Sequence, residues 1–146
     1  MKSAVKELEA KGKAAKVASR RLAYLSADVK NKALVNVANG LLTKKDKILA
    51  DNEADYKEAE ASGMSEAMLD RLLLNSSRLD AIAQDVLAVA ALPDPVGEVF
   101  DMRTLPNGLL LGRKRVPFGV IGAIYESRPN VTIDISVLCL KSVVFR

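Results

Sequence analysis

The chain has 146 residues, 49% of them hydrophobic, which is enough for one ordinary domain with its own core. Only 4% are aromatic and Trp is absent, so the core has to be aliphatic and alanine-based, which favours packed helices over an all-β sandwich. The net charge of +4 hides an alternation: Lys and Arg lead Asp and Glu 12 to 4 over residues 1–50, trail 3 to 11 over 51–100 and lead 7 to 3 over 101–146. A nucleic-acid binder more often shows one unbroken basic field with stacking aromatics, so no nucleic-acid partner is expected.

From Lys2 to about Leu25, Val5, Leu8, Ala15, Ala18 and Leu22 recur at helical spacing opposite Lys2, Lys6, Lys13, Lys16 and Arg20. This is an amphipathic helix with a basic outer face, and Glu7 and Glu9 interrupt the charge as they would on an ordinary solvated surface. Ser26 is placed to cap a second helix in which Leu34, Val37, Ala38 and Leu41 share a face. Thr43 followed by Asp46 resembles a capping arrangement for a third helix through Ile48, Leu49, Tyr56 and Ala59, ended by Ser62-Gly63. Ser65 caps a short helix carrying Met68, Leu69 and Leu72, and Asn75 or Ser76 opens another through Leu79, Ile82, Ala83, Val86, Leu87 and Ala90.

Leu92-Pro-Asp-Pro-Val-Gly97 cannot continue a helix. Beyond it, Glu98–Leu105 and Leu109–Val116 read as two strands joined at Pro106-Asn107-Gly108, a hairpin. The apolar run from Phe118 to Tyr125 reads as a strand buried on both faces, and Pro129 with Asn130 opens a last helix, its start expected between Ser127 and Thr132. Helices, hairpin, buried strand and helix in that order predict an α/β fold: a helical part over 1–92, the hairpin over 97–117 and a strand-turn-helix over 118–146.

The strand-to-helix turn is the most informative stretch. The first N–H groups of a helix lack internal partners and carry the positive end of its dipole, so they attract a phosphate or carboxylate. Arg128 can grip the same oxyanion with two prongs. Tyr125, Glu126, Ser127, Arg128 and Asn130 are therefore the candidate substrate or cofactor-binding residues, although Glu126 and Arg128 also read as an ion pair holding the turn. Gly119 and Gly122 do not complete a G-x-G-x-x-G dinucleotide fingerprint and read as close backbone packing. Arg113-Lys114-Arg115 reads as a phosphate contact or as charges protecting a strand edge. Cys139, between Leu138 and Leu140, reads as packing. With no His and one Cys, neither a zinc site nor a Ser-His-Asp relay is available. No apolar run approaches the ~20 residues of a membrane span, no signal-peptide block opens the chain, and a lone cysteine fits a reducing compartment, so a cytoplasmic location is expected.

The blocks Ser65-Glu-Ala-Met-Leu-Asp-Arg-Leu72, Ala91-Leu-Pro-Asp-Pro-Val-Gly-Glu98, Leu105-Pro-Asn-Gly108, Tyr125-Glu-Ser-Arg-Pro-Asn130 and Leu138-Cys-Leu-Lys-Ser142 come in the order seen in one family. The chain resembles the γ-glutamyl phosphate reductases, or glutamate-5-semialdehyde dehydrogenases, of the aldehyde dehydrogenase superfamily. The resemblance implies NADPH-dependent reduction of γ-glutamyl phosphate to glutamate-5-semialdehyde in proline biosynthesis, with NADP(H) as cofactor and a cysteine thioester as intermediate. It places the turn from Tyr125 to Asn130 at the cofactor and substrate cleft. Cys139 is not at the position of the family nucleophile, which lies past Arg146, so no catalytic residue is assigned. Where the family continues Lys-Ser with Gly-Asn and a further strand, this chain reads Lys141-Ser-Val-Val-Phe-Arg146, and an N-terminal fragment, inactive by itself, is expected. The competing expectation is a non-catalytic module that docks, through the hairpin and the basic first helix, on a full-length reductase or a glutamate kinase; the hairpin of relatives lies at a subunit interface, which implies a homo-oligomer.

Overall fold

The computed structural model describes residues 2–126 and 128–142. Five helices come first: α1 (Lys2–Leu22), α2 (Ala27–Thr43), α3 (Lys45–Ala61), α4 (Glu66–Leu72) and α5 (Ser76–Ala91). A hairpin of β1 (Val99–Thr104) and β2 (Leu110–Lys114) follows, and α6 (Pro129–Ser142) closes the described chain. The class is α/β, six helices and a two-stranded antiparallel sheet among the described residues.

The core lies where α2, α5 and α6 meet. The stripe read from the sequence of α2 puts Leu34, Ala38 and Leu41 inside, and that of α5 adds Leu79, Ile82, Ala83, Val86 and Ala90. Val137 of α6 packs onto them. Lys30 is one turn ahead of Leu34 on the same face and is buried with it, its ammonium 2.6 Å from Asp94 Oδ2 in the proline-rich breaker. Lys141, one turn past Val137, is buried too and donates to Asn31 Oδ1 at 2.6 Å and to the Ala90 carbonyl at 2.9 Å. Both ammonium groups are thus hydrogen-bonded, as burial of a charge demands.

Helix boundaries follow local chemistry. Ser26 Oγ accepts from Val29 N–H, and Asn75 Oδ1 accepts from Arg78 N–H at 2.8 Å, each capping the helix behind it. After α3, Gly63 takes φ +80° while its N–H bonds to Glu60 O and that of Met64 bonds to Ala59 O, a Schellman ending that only glycine enters without strain. Thr43 departs from expectation. It does not cap α3 but ends α2, its hydroxyl donating back to Asn39 O at 2.9 Å, because Lys44 alone separates the two helices and leaves no room for an extended capping residue.

Two further expectations change. The first apolar positions of α1 are not covered, Val5 and Leu8 being 54% and 73% exposed, whereas toward its C-terminal end Ala15 and Leu22 are half-buried and Ser19 is buried. The run Phe118–Tyr125 forms no strand: Phe118 is 59% exposed and Ile124 fully so. A strand buried on both faces needs neighbours to complete its hydrogen bonds and layers to cover it, and the two described strands use each other. The α6 start at Pro129 is where the sequence put it.

The hairpin pairs Val99 with Lys114 and Thr104 with Leu110, with a bulge between Phe100 and Arg103 at which Asp101 takes φ 54°. Its turn closes through Gly108 N–H to Leu105 O at 2.9 Å, with Pro106 at the second position, Asn107 Oδ1 accepting from Leu109 N–H, and Gly108 at φ +85°. Nothing in the described chain covers either of its faces.

Candidate substrate cleft

Pro129 occupies the first turn of α6, where its missing N–H is no loss. Val131 N–H donates to Arg128 O at 3.1 Å, so Arg128 is the last residue before the helix and its side chain stands at the helix mouth. Tyr125 is tied back onto the first turn by a 2.7 Å hydrogen bond between its hydroxyl and Thr132 Oγ1. Asn130 Nδ2 donates to Asp134 Oδ2 at 3.1 Å, which fixes its amide and turns its carbonyl away from that acid.

Arg128 and Asn130 form one wall of an open cleft of ≈ 310 Å³. The opposite wall is the α4–α5 corner, with Asp70, Arg71, Arg78 and Asp85 around a floor that includes Ile82 and Leu74. Arg78 is committed to structure. Its guanidinium donates to the carbonyls of Asp70 and Leu73, at 2.6 and 2.8 Å, and to Asp70 Oδ1 at 2.7 Å, closing the orphan end of α4. Arg71, Asp85 and Arg128 have no side-chain partner among the described residues and are exposed. The cleft therefore offers unpaired charges of both signs over an apolar floor, the mixture that fixes the orientation of a small polar ligand.

Of the residues singled out from sequence, Arg128 and Asn130 line the cleft, while Tyr125 and Glu126 are exposed and are not among its lining residues. Ser127 lies outside the described residues. No ion pair joins Glu126 to Arg128 among the described residues, so the turn is not held in that way. Arg113 instead meets Asp101 at 3.4 Å, and Arg115 meets Glu98 and stacks 5.1 Å from the Phe100 ring centre, which makes both cross-strand partners within the hairpin. Cys139 is a half-buried thiol, and no cluster of metal-ligating side chains occurs among the described residues. No described helix is long and apolar enough to cross a membrane.

Sequence reasoning missed Arg71, Asp85 and the two buried lysines. For Lys30 and Lys141 the signal was present, a cation on an otherwise apolar helical stripe. For Arg71 and Asp85 no local signal exists, because α4 and α5 bring them to Arg128 only through the tertiary fold.

No protein-family model matches the chain. It is 59% identical over 142 residues to the gamma-glutamyl phosphate reductase of Dehalococcoides mccartyi, covering 97% of this chain and 34% of that protein. It is 60% identical over 136 residues to that of Chloroflexus aurantiacus, covering 93% and 32%. Among solved structures, the Thermotoga maritima gamma-glutamyl phosphate reductase superposes with a TM-score of 0.88 at 42% identity over 94% of this chain and 33% of that one. The yeast protein of the same name superposes with a TM-score of 0.84 at 32% identity. The chain spans about a third of the length of the relatives it matches, and its helices and hairpin correspond to their N-terminal part.

Proposed function

We propose that this chain is the opening section of a γ-glutamyl phosphate reductase, whose whole-protein activity is the NADPH-dependent reduction of γ-glutamyl phosphate to glutamate-5-semialdehyde in proline biosynthesis. The observation that carries this reading is the joint match in sequence and in space, 59% identity over 142 residues with a fold that superposes on the Thermotoga protein at a TM-score of 0.88. The nicotinamide cofactor supplies hydride when bound. This chain's share is to bind and orient: the α6 mouth, Arg128 and Asn130 hold an oxyanion of the substrate or cofactor, and Tyr125, braced by Thr132, shapes the approach. Glu126 and Ser127, next to Arg128 in sequence, complete the proposed set of binding residues. An open helix start beside a guanidinium is a donor set suited to phosphate, which fits NADP(H) as well as an acyl phosphate.

In this reading residues 1–92 form a helical part, 97–117 a hairpin and 118–146 the first strand-turn-helix of a nucleotide-binding sheet, with 118–125 pairing as a strand once neighbouring strands are present. The protein works in the cytoplasm, as a homo-oligomer or with glutamate kinase as partner. A non-catalytic docking role is the second reading. Leu109, Leu110 and Leu111 on the exposed hairpin favour it, being 62%, 67% and 44% exposed.

Arg128→Ala in a chain extended to the length of its relatives tests the first reading. The loss of a charge-assisted hydrogen bond lowers kcat/KM by the equivalent of roughly 1.5–3 kcal/mol. Unchanged kinetics remove Arg128 from the binding site. The chain as it stands, assayed by NADPH absorbance in either direction, is expected to be silent; turnover surviving Cys139→Ser refutes the assignment of catalysis to other parts of the reductase. Capture of a full-length reductase or glutamate kinase in a pull-down is the result that favours docking.

A further inference from the structure

The α4–α5 wall of the cleft carries charges that a phosphate site does not explain. Asp70 and Asp85 both face the cavity, and a dianionic phosphate against them would be repelled. Arg78 neutralises Asp70 through the 2.7 Å contact and donates through Nη1 to two backbone carbonyls. What remains on this wall is one cation, Arg71, and one carboxylate, Asp85, without side-chain partners among the described residues and above the apolar side chains of Leu74 and Ile82. One positive and one negative group lining the same cleft complement a ligand end bearing one of each. We propose that Arg71 and Asp85 form the subsite for the α-amino-acid end of the substrate, Arg71 gripping the α-carboxylate and Asp85 accepting from the α-ammonium, while the three-carbon arm crosses the floor toward Asn130 and Arg128.

This inference rests on the reductase reading and adds residues that recognise the substrate at the end remote from the chemistry. It also accounts for the cleft's dimensions: ≈ 310 Å³ is at the small end of ligand sites and suits an amino acid rather than a dinucleotide. The two binding groups sit on helices anchored by Leu69, Leu79 and Ile82, all buried, so their positions are set by rigid elements rather than by a loop. Specificity follows from the two unpaired charges: a ligand lacking the ammonium leaves Asp85 without a partner, and one lacking the α-carboxylate leaves Arg71 so.

The test is a titration of the 146-residue chain followed by backbone amide shifts, with L-glutamate, glutarate, γ-aminobutyrate and inorganic phosphate as probes. L-Glutamate is expected to shift amides around Arg71, Ile82 and Asp85 saturably, with glutarate and γ-aminobutyrate each binding about tenfold more weakly. Asp85→Asn should weaken L-glutamate by about tenfold while leaving glutarate unchanged, and Arg71→Gln should do the converse with γ-aminobutyrate. Both positions are exposed, so these variants keep the wild-type amide spectrum elsewhere. Equal affinities for L-glutamate and glutarate, an Asp85→Asn chain that binds as wild type, or saturation by phosphate instead of L-glutamate would each overturn the subsite. So would a folded chain that L-glutamate does not shift. None of these outcomes touches the reductase reading, which is tested separately by NADPH-linked turnover of a chain extended to the length of its relatives.

Discussion

Asp94→Asn separates the buried charge of Lys30 from the carboxylate it pairs with, and its effect can be worked from the structure. The Lys30 side chain is 0% exposed and that of Asp94 13%, with 2.6 Å between Nζ and Oδ2. The asparagine keeps the oxygen that accepts from Val96 N–H at 2.9 Å, so the breaker loop is not disturbed, but it can turn an N–H toward the ammonium. Breaking a buried pair by removing one partner destabilises by roughly 3–5 kcal/mol, and the partial exposure of Asp94 lets water reach the site, which argues for about 3 kcal/mol. Lys141 adds to the loss. Burial holds its pKa below the ordinary 10.5, the Asp94 charge opposes that lowering and Lys30 reinforces it, so neutralising residue 94 leaves two cations facing each other. Lys30→Met provides the contrast: it fills the same space with apolar atoms, leaves Asp94 bonded to Val96, partly exposed and still near the Lys141 charge, and should cost less than about 1.5 kcal/mol. Urea unfolding at neutral pH, followed by helical circular dichroism, gives both values. An Asp94→Asn chain within about 1 kcal/mol of wild type, or a Lys30→Met chain less stable than Asp94→Asn, refutes the reasoning.

The same cluster predicts a pH dependence. A lysine whose pKa is lower folded than unfolded binds fewer protons in the native state, so between its folded value and 10.5 stability rises with pH, and the full penalty is present below that window. The stability difference between wild type and Lys141→Met, measured by urea melts at successive alkaline pH values, should shift in favour of wild type as pH climbs toward 10.5; a flat difference removes Lys141 as its source. Buried Asn52 bridges the α4–α5 corner by donating to Leu72 O at 2.9 Å and accepting from Leu74 N–H at 2.6 Å, and Asn52→Ala should cost about 2–3 kcal/mol in the same assay because two half-buried backbone groups lose their partner. In the hairpin, Gly108→Ala forces a side chain into φ +85° and should cost about 1 kcal/mol or more of local stability, read as faster amide exchange over 99–114 with the α2–α5 amides unchanged. Gly112→Ala meets the exposed Met102 thioether, which can swing away, and should cost less than Gly108→Ala.

Much of the fold was legible because helices declare themselves locally. The stripes Leu34-Ala38-Leu41 and Leu79-Ile82-Ala83-Val86 are periodic whatever they pack against, and Ser26, Asn75 and Gly63 act within one turn of their own position. The run Phe118–Tyr125 misled because continuous hydrophobicity says that a segment wants cover, not that cover is supplied; strand formation depends on distant partners, and the described chain has none to give. The exposed apolar positions of α1 repeat that lesson. At the site, Arg128 and Asn130 could be found from the helix start alone, whereas Arg71 and Asp85 became visible only when the α4–α5 corner was brought to face them. Lys30 and Lys141 were legible in principle, since a lysine in step with buried aliphatic residues is an anomaly of pattern, and an anomaly of pattern is where a polar network is expected.

The bond from Lys141 to the Ala90 carbonyl has a consequence for the order in which the molecule assembles. α5 carries no basic residue in its last turn, and a helix ending leaves carbonyls that want a donor. The donor comes from a residue 51 positions later in the chain, and the same ammonium reaches back 110 positions to Asn31. During synthesis α2 and α5 can pair as soon as both have emerged, but the end of α5 stays frayed until α6 is made and docks. The ammonium then latches three segments at once, and the breaker loop beside it, held by Asp94, takes its final course only at that step. A ribosome-bound chain released shortly before residue 141 would have its aliphatic contacts and lack its latch.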